Sequence, residues 1–169
     1  LTPKTLRKVL IGGAPARPYM HTRMPKFGTA NVEPLLTHFG EDKLPTIEFD
    51  PVKDDKRARN EGFEMVGPEN FSCVACHTFK RESATTLHGL ELTIMTERLQ
   101  KNWFQHFMRN PQKFHATTIM PNFWPGGKSV RPGYLDGDTG KQIDGIWRYL
   151  ARGREARTPR GIKREPIEF

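Results

Sequence analysis

The chain has 169 residues, enough for one ordinary domain or for one small domain and part of another. With 36% hydrophobic residues, 14 prolines and 15 glycines, a core made of peptide alone would be thin, and no stretch approaches the roughly 20 apolar residues of a membrane span. The formal net charge of +8 is densest between Arg152 and Arg164, where no recognition fold or interleaved aromatic residues accompany it; nucleic-acid binding gives way to a solvated tail or a surface that meets acidic partners.

Residues 1–40 read as helix, loop, helix. Thr2 caps a first helix with Pro3 at its first position, Leu6, Val9 and Leu10 share a face, and Gly12-Gly13 stops it. A loop containing Arg23-Met24-Pro25-Lys26-Phe27 leads to a second amphipathic helix from about Asn31 to Phe39. Residues 41–53, with Pro45 and Pro51 and no sustained period, read as a linker. A third helix is expected from Asp54 to Met65, where Gly62 inside the helix points to close approach of another backbone or ring. Gly67-Pro68 ends it and the chain enters Cys73-Val74-Ala75-Cys76-His77.

A polar loop from Lys80 to Gly89 follows. Met95 to Met108 is then expected as one amphipathic helix, with Leu99, Trp103, Phe104 and Phe107 at helical spacing and Asn110-Pro111 at its end. Phe114 to Trp124 reads as extended, with Met120-Pro121 inside it. Gly126-Gly127 and Asp136-Gly137-Asp138 mark turns, and Thr139 to Ala151 gives a last helix with Ile143, Ile146, Trp147 and Leu150 on its apolar side. The tail, residues 154–169, shows no period and is expected to be poorly ordered.

Cys73, Cys76 and His77 have the spacing that attaches a c-type haem: each sulfur adds to a vinyl group and the imidazole binds iron. Three other readings compete. A redox disulfide expects a preceding strand, which Glu69-Asn70-Phe71-Ser72 makes poorly. Zinc needs four ligands where no second cysteine pair exists, and the motif could arise by chance. Met120 is the candidate for the second axial ligand, since a thioether is a soft neutral donor and Pro121 keeps it out of a helix. The ordinary fate of a lone methionine is to fill a core. Met24 or Met20 is the alternative ligand, and His21, His38, His88, His106 and His115 are read as surface or packing residues.

The order helix, CxxCH, loop, helix, Met-Pro loop and aromatic-bearing last helix, over residues 54–153, resembles a class I cytochrome c domain. Its carriers are Cys73, Cys76, His77 and Met120-Pro121, together with Gly62-Phe63 and Trp147-Tyr149, which look like that family's contact between first and last helices. Leu99 to Pro125 and the ending Gln142 to Leu150 also look like cytochrome domains in large multidomain oxidoreductases of planctomycete-type bacteria. The resemblance implies an all-α fold around one covalently bound haem c, with Cys73, Cys76, His77 and Met120 as its cofactor-binding residues and His77 and Met120 on the metal. One departure stands out: the family usually has a proline after the motif whose carbonyl accepts the proximal histidine's ring N–H, and no proline lies between His77 and Pro111. A backbone carbonyl near Gly89 is the candidate for that role.

Residues 1–40 repeat the order of residues 95–151, with Arg23-Met24-Pro25-Lys26-Phe27 matching Ile119-Met120-Pro121-Asn122-Phe123. They look like the C-terminal half of a second cytochrome-c-like domain. Either the chain is cut from a longer diheme protein, which its start at Leu1 without a signal peptide would fit, or the half-domain packs against the intact one.

The expected function is electron transfer, not enzymatic catalysis, between a dehydrogenase and an acceptor, with redox partners that present acidic docking surfaces. Bacterial haem attachment places such a chain in the periplasm or otherwise outside the cytoplasm. The alternatives are a haem peroxidase or small-gas-binding domain with an open or displaceable sixth ligand, and a docking module of a larger multidomain oxidoreductase.

Overall fold

The computed structural model describes residues 1–15, 25–41, 43–87 and 89–162. Met20, His21, Met24 and His88 lie outside the described residues. All regular structure within them is helical, and strand pairing is limited to the isolated bridges His77 with Gly89 and Phe79 with Glu82. No helix among the described residues is long and apolar enough to cross a membrane.

Among the described residues seven α-helices run in chain order: α1 Pro3–Leu10, α2 Thr29–Gly40, α3 Asp55–Val66, α4 Met95–Arg98, α5 Lys101–Arg109, α6 Pro111–Phe114 and α7 Thr139–Leu150. Their starts follow capping chemistry. The side chains of Thr2, Asp54, Asn110 and Asp138 each accept a backbone N–H of the first turn they precede, and Pro3 and Pro111 begin their helices where no N–H is needed.

The core is built where α3 crosses α7. A Cβ added at Gly62 would run into the Gly145 carbonyl, and one added at Gly145 would lie 2.6 Å from Leu135 Cδ1 and 3.0 Å from the Ala58 carbonyl oxygen. The two helices therefore meet backbone to backbone, which only glycine permits. Around that crossing Met65, Val66, Ile143, Ile146 and Leu150 are buried, and Phe63 meets Tyr149 edge-on at 5.7 Å between ring centroids. Trp147 turns the other way, to Phe104 of α5 at 5.2 Å. Asp144, fully buried, bridges the same two helices, with Lys101 Nζ at 2.6 Å and Arg148 Nε at 2.7 Å.

The helix expected over Met95–Met108 is broken at Leu99 and Gln100, both extended. The hydrophobic period continues across the break, so the cause is polar. The Arg98 carbonyl accepts from Thr2 N at 2.8 Å, and the Glu97 carbonyl accepts from the hydroxyls of Thr2 at 2.6 Å and Thr5 at 3.0 Å. Carbonyls that would carry the helix forward are bonded to the start of α1 instead. Through these bonds the α1–α2 pair, with Leu6, Val32 and Leu36 as its own small core, sits on the α4–α5 corner.

The linker is strapped down as well. Asn102 of α5 donates to the Leu44 carbonyl at 3.1 Å and accepts from Ile47 N at 3.3 Å, His106 Nε2 meets the Pro45 carbonyl at 2.8 Å, and Phe49 lies so close to Gly140 that a Cβ there would be 2.6 Å from it. The tail departs from the expected disorder as far as residue 162, while residues 163–169 lie outside the described residues. Gly153–Glu155 forms a helical turn, Ala156 is buried, the Tyr149 hydroxyl donates to the Arg157 carbonyl at 2.6 Å, and the Arg157 guanidinium lies 4.2 Å from the Phe63 ring centre. Packing on an aromatic ring holds this basic segment, a contact with no periodic trace in the sequence.

Candidate functional site

The C-terminal turn of α3 delivers the chain to the cysteines. Phe71 N donates to the Met65 carbonyl and Ser72 N to the Gly67 carbonyl, each at 3.0 Å, and Ser72 takes a left-handed conformation at φ 53°. Cys73–Ala75 then forms a turn of 3-10 helix, and His77 N donates to the Cys73 carbonyl at 3.0 Å. Residues spaced three and four apart on a helical turn share a side, so Cys73, Cys76 and His77 are grouped while Val74, between them, is buried in the core. All three are half-buried, and both cysteines are free thiols. Burial pushes the Cys73 thiol up to about 12, keeping it protonated at neutral pH.

His77 Nδ1 lies 2.8 Å from the Leu90 carbonyl oxygen. A carbonyl only accepts, so Nδ1 carries the proton and Nε2 keeps its lone pair. Burial lowers the imidazole's proton affinity, against a smaller opposing pull from that hydrogen bond, which favours the neutral ring that ligates metals. Gly89, next to the acceptor, donates to the Cys76 carbonyl at 2.6 Å. A Cβ at Gly89 would stand 2.5 Å from that oxygen and 3.1 Å from His77 Nδ1, so this position has no room for a side chain.

Sequence reading missed the group that closes this loop, Glu91. Its carboxylate accepts from Lys80 N at 2.9 Å, Arg81 N at 2.8 Å, Thr93 N at 3.0 Å and the Thr93 hydroxyl at 2.6 Å. Burial pushes its proton affinity up, and the four bonds more than offset this, so the carboxyl lies below its ordinary value. One acid within Gly-Leu-Glu-Leu-Thr carries no spacing signal that would have marked it.

Met120 is half-buried, and both it and Cys73 pack against the edge of the one large core. Its backbone is fixed by Thr118 Oγ1, which accepts from Met120 N at 3.2 Å, and by Gln112 Nε2, which donates to the Met120 carbonyl at 2.7 Å. Its neighbour Ile119 is 78% exposed. The loop is drawn to the cysteine turn by aromatic contacts: Phe71 stacks on Phe123 at 4.7 Å and meets Trp124 at 4.9 Å. Trp124 is buried, and its Nε1 donates to Gln142 Oε1 at 2.8 Å. Gln142 in turn donates to the Arg131 and Tyr134 carbonyls at 2.9 and 2.8 Å, anchoring residues 124–135 on α7.

The other described histidines stand apart from this group. His38 faces Lys43 and Phe39, His106 is bonded to the Pro45 carbonyl, and His115 to Thr117. Among the described residues no three His, Cys, Asp or Glu side chains gather so as to hold a bare metal ion. Comparisons with protein-family models, with curated proteins and with solved structures each give no match.

Proposed function

We propose that the chain is a one-haem electron carrier built on a class I cytochrome c domain, and the observation that carries this is the bond from His77 Nδ1 to the Leu90 carbonyl beside two free thiols on the same turn. The donor set fits the group. Two sulfurs are available for thioether bonds, one imidazole is held in the tautomer that leaves Nε2 free, and its acceptor is a backbone carbonyl in a loop without proline. A bound haem would supply the iron that takes up and gives back one electron, together with four of its own ligands, so the chain needs to add only two.

His77 Nε2 and Met120 Sδ would hold the iron, with Cys73 and Cys76 as tethers. Phe71, Phe123 and Trp124 keep water away from the segment between the cysteine turn and the methionine loop. The surroundings speak against a thioredoxin-like disulfide, since the cysteines follow a helix and a turn and no strand leads into them. Lys113, Lys128 and Arg131, exposed on either side of Met120 in the sequence, suit brief, salt-sensitive docking to acidic partners. Covalent attachment implies an extracytoplasmic location, and the α1–α2 pair is best read as a packing element on the α4–α5 corner.

The test is a reduced-minus-oxidised spectrum in alkaline pyridine of chain made in cells that attach haem c. One haem with saturated vinyl groups is expected, and chain that carries none overturns the reading. Met120→Ala should lower the reduction potential and open the iron to cyanide, while Met24→Ala should change neither. A wild-type ferric spectrum that is already high-spin, with rapid cyanide binding, would replace the Met120 assignment by an open iron and favour peroxidase or gas-binding chemistry.

A further inference from the structure

We propose that Glu91 is the positioning residue of this site: its carboxylate fixes the loop on both sides of Leu90 so that the Leu90 carbonyl meets His77 Nδ1. The proposal rests on the reading of His77 as an iron ligand. Its basis is one side chain that ties three points of the chain together. Upstream, the N–H groups of Lys80 and Arg81 each donate to a different oxygen of the carboxylate, at 2.9 and 2.8 Å. Downstream, Thr93 N and its hydroxyl both donate to Oε1, at 3.0 and 2.6 Å.

Lys80 and Arg81 both have positive φ, 55° and 68°, a left-handed conformation that is strained for a residue with a Cβ. Two such residues in succession persist only where the surroundings hold them, and both of their N–H groups end on Glu91. The turn they form brings Phe79 and Glu82 into a bridge. Beyond it the chain returns so that Gly89 N bonds the Cys76 carbonyl and Leu92 N bonds the Thr78 carbonyl at 2.9 Å. Leu90 is thus held between two backbone bonds to the strand of chain carrying His77, and Glu91 locks the frame. A rigid ring could hold such a carbonyl, but this loop contains no proline, and a charge-assisted cluster takes its place.

The experiment is exchange of the His77 Nδ1 proton, followed by nitrogen-15 NMR in the haem-loaded protein, alongside the reduction potential. Glu91→Ala should speed that exchange about tenfold, the factor that loss of a charge-assisted hydrogen bond gives, and should raise the potential as the imidazole becomes a weaker donor. Glu91→Gln, which keeps the size and one acceptor, should fall between, and decides the matter should the alanine variant not fold. Glu82→Gln, which removes the same charge from the same loop, should do neither. Unchanged Nδ1 protection in Glu91→Gln, or an equal change in Glu82→Gln, overturns the proposal. Wild-type chain without attached haem would overturn the proposed function instead, and Nδ1 exchange measured on that chain would still decide the role of Glu91.

Discussion

Two helical pairs in this molecule are held together by opposite means. The α3–α7 crossing is apolar and close, with glycine facing backbone and buried residues on both helices. The α1–α2 pair buries only Leu6, Val32 and Leu36, leaves Phe27, Leu35 and Phe39 exposed, is joined within itself by the surface pair Arg7–Glu33, and is fastened to the rest by threonine hydroxyls and by Gln100 bonded to the Gly40 carbonyl. Helices of similar length thus differ in what they contribute. The first pair defines the core and feeds the cysteine turn, while the second depends on the α4–α5 corner for its place. Pro34 in the interior of α2 adds to the contrast, since it removes a helix hydrogen bond.

The contrast is broken most severely at Gly62. Gly62→Ala puts a methyl group into the Gly145 carbonyl and should cost about 3 kcal/mol by urea denaturation, with α3 and α7 losing structure together. A cost under about 1 kcal/mol would mean that the crossing is not the centre of stability.

Leu36→Ala should remove about 2 kcal/mol, but from the smaller pair alone. Amide exchange should speed up in residues 3–10 and 29–40 and stay slow in residues 139–150; uniform acceleration would make the two pairs one cooperative unit. Thr2→Ala, which removes both a cap and a bond to the Glu97 carbonyl, should cost about 1 kcal/mol. It should loosen the same residues, read by the same exchange.

The smallest expected effect is acid sensitivity of the His77 loop. The folded-state proton affinity of Glu91 lies below its ordinary value of 4.5, so its contribution is fully present above pH 4.5 and is lost as pH falls through the lower folded value. The Lys80 and Arg81 amides should therefore lose protection in acid before those of α7 do. Protection that outlasts that of α7 would separate the loop's order from the carboxylate.

What the sequence discloses and what it conceals follow from the range of each interaction. Local chemistry is legible: Thr2-Pro3 and Asp54 mark helix starts, Gly62 marks a close contact, and the cysteine–histidine spacing marks three side chains grouped on one turn. The carbonyl near Gly89 is anticipated to within one residue. What stays hidden is bonding between a side chain and a distant backbone. The break at Leu99 depends on Thr2, the strapping of the linker on Asn102, the docked tail on Phe63, and the two left-handed residues on Glu91. None of these leaves a period or a fixed spacing, because each partner lies where the fold, and not the local sequence, brings it.

The docked tail has a mechanical corollary. Gly161 rests against Pro68, at the bend between α3 and the cysteine turn, while Arg157 covers Phe63 one helical turn earlier. A load applied at residue 162 would therefore act beside the bend that leads to Cys73. Force applied there would reach the thiols through a few residues, long before it disturbed the pair of helices at the opposite end of the sequence.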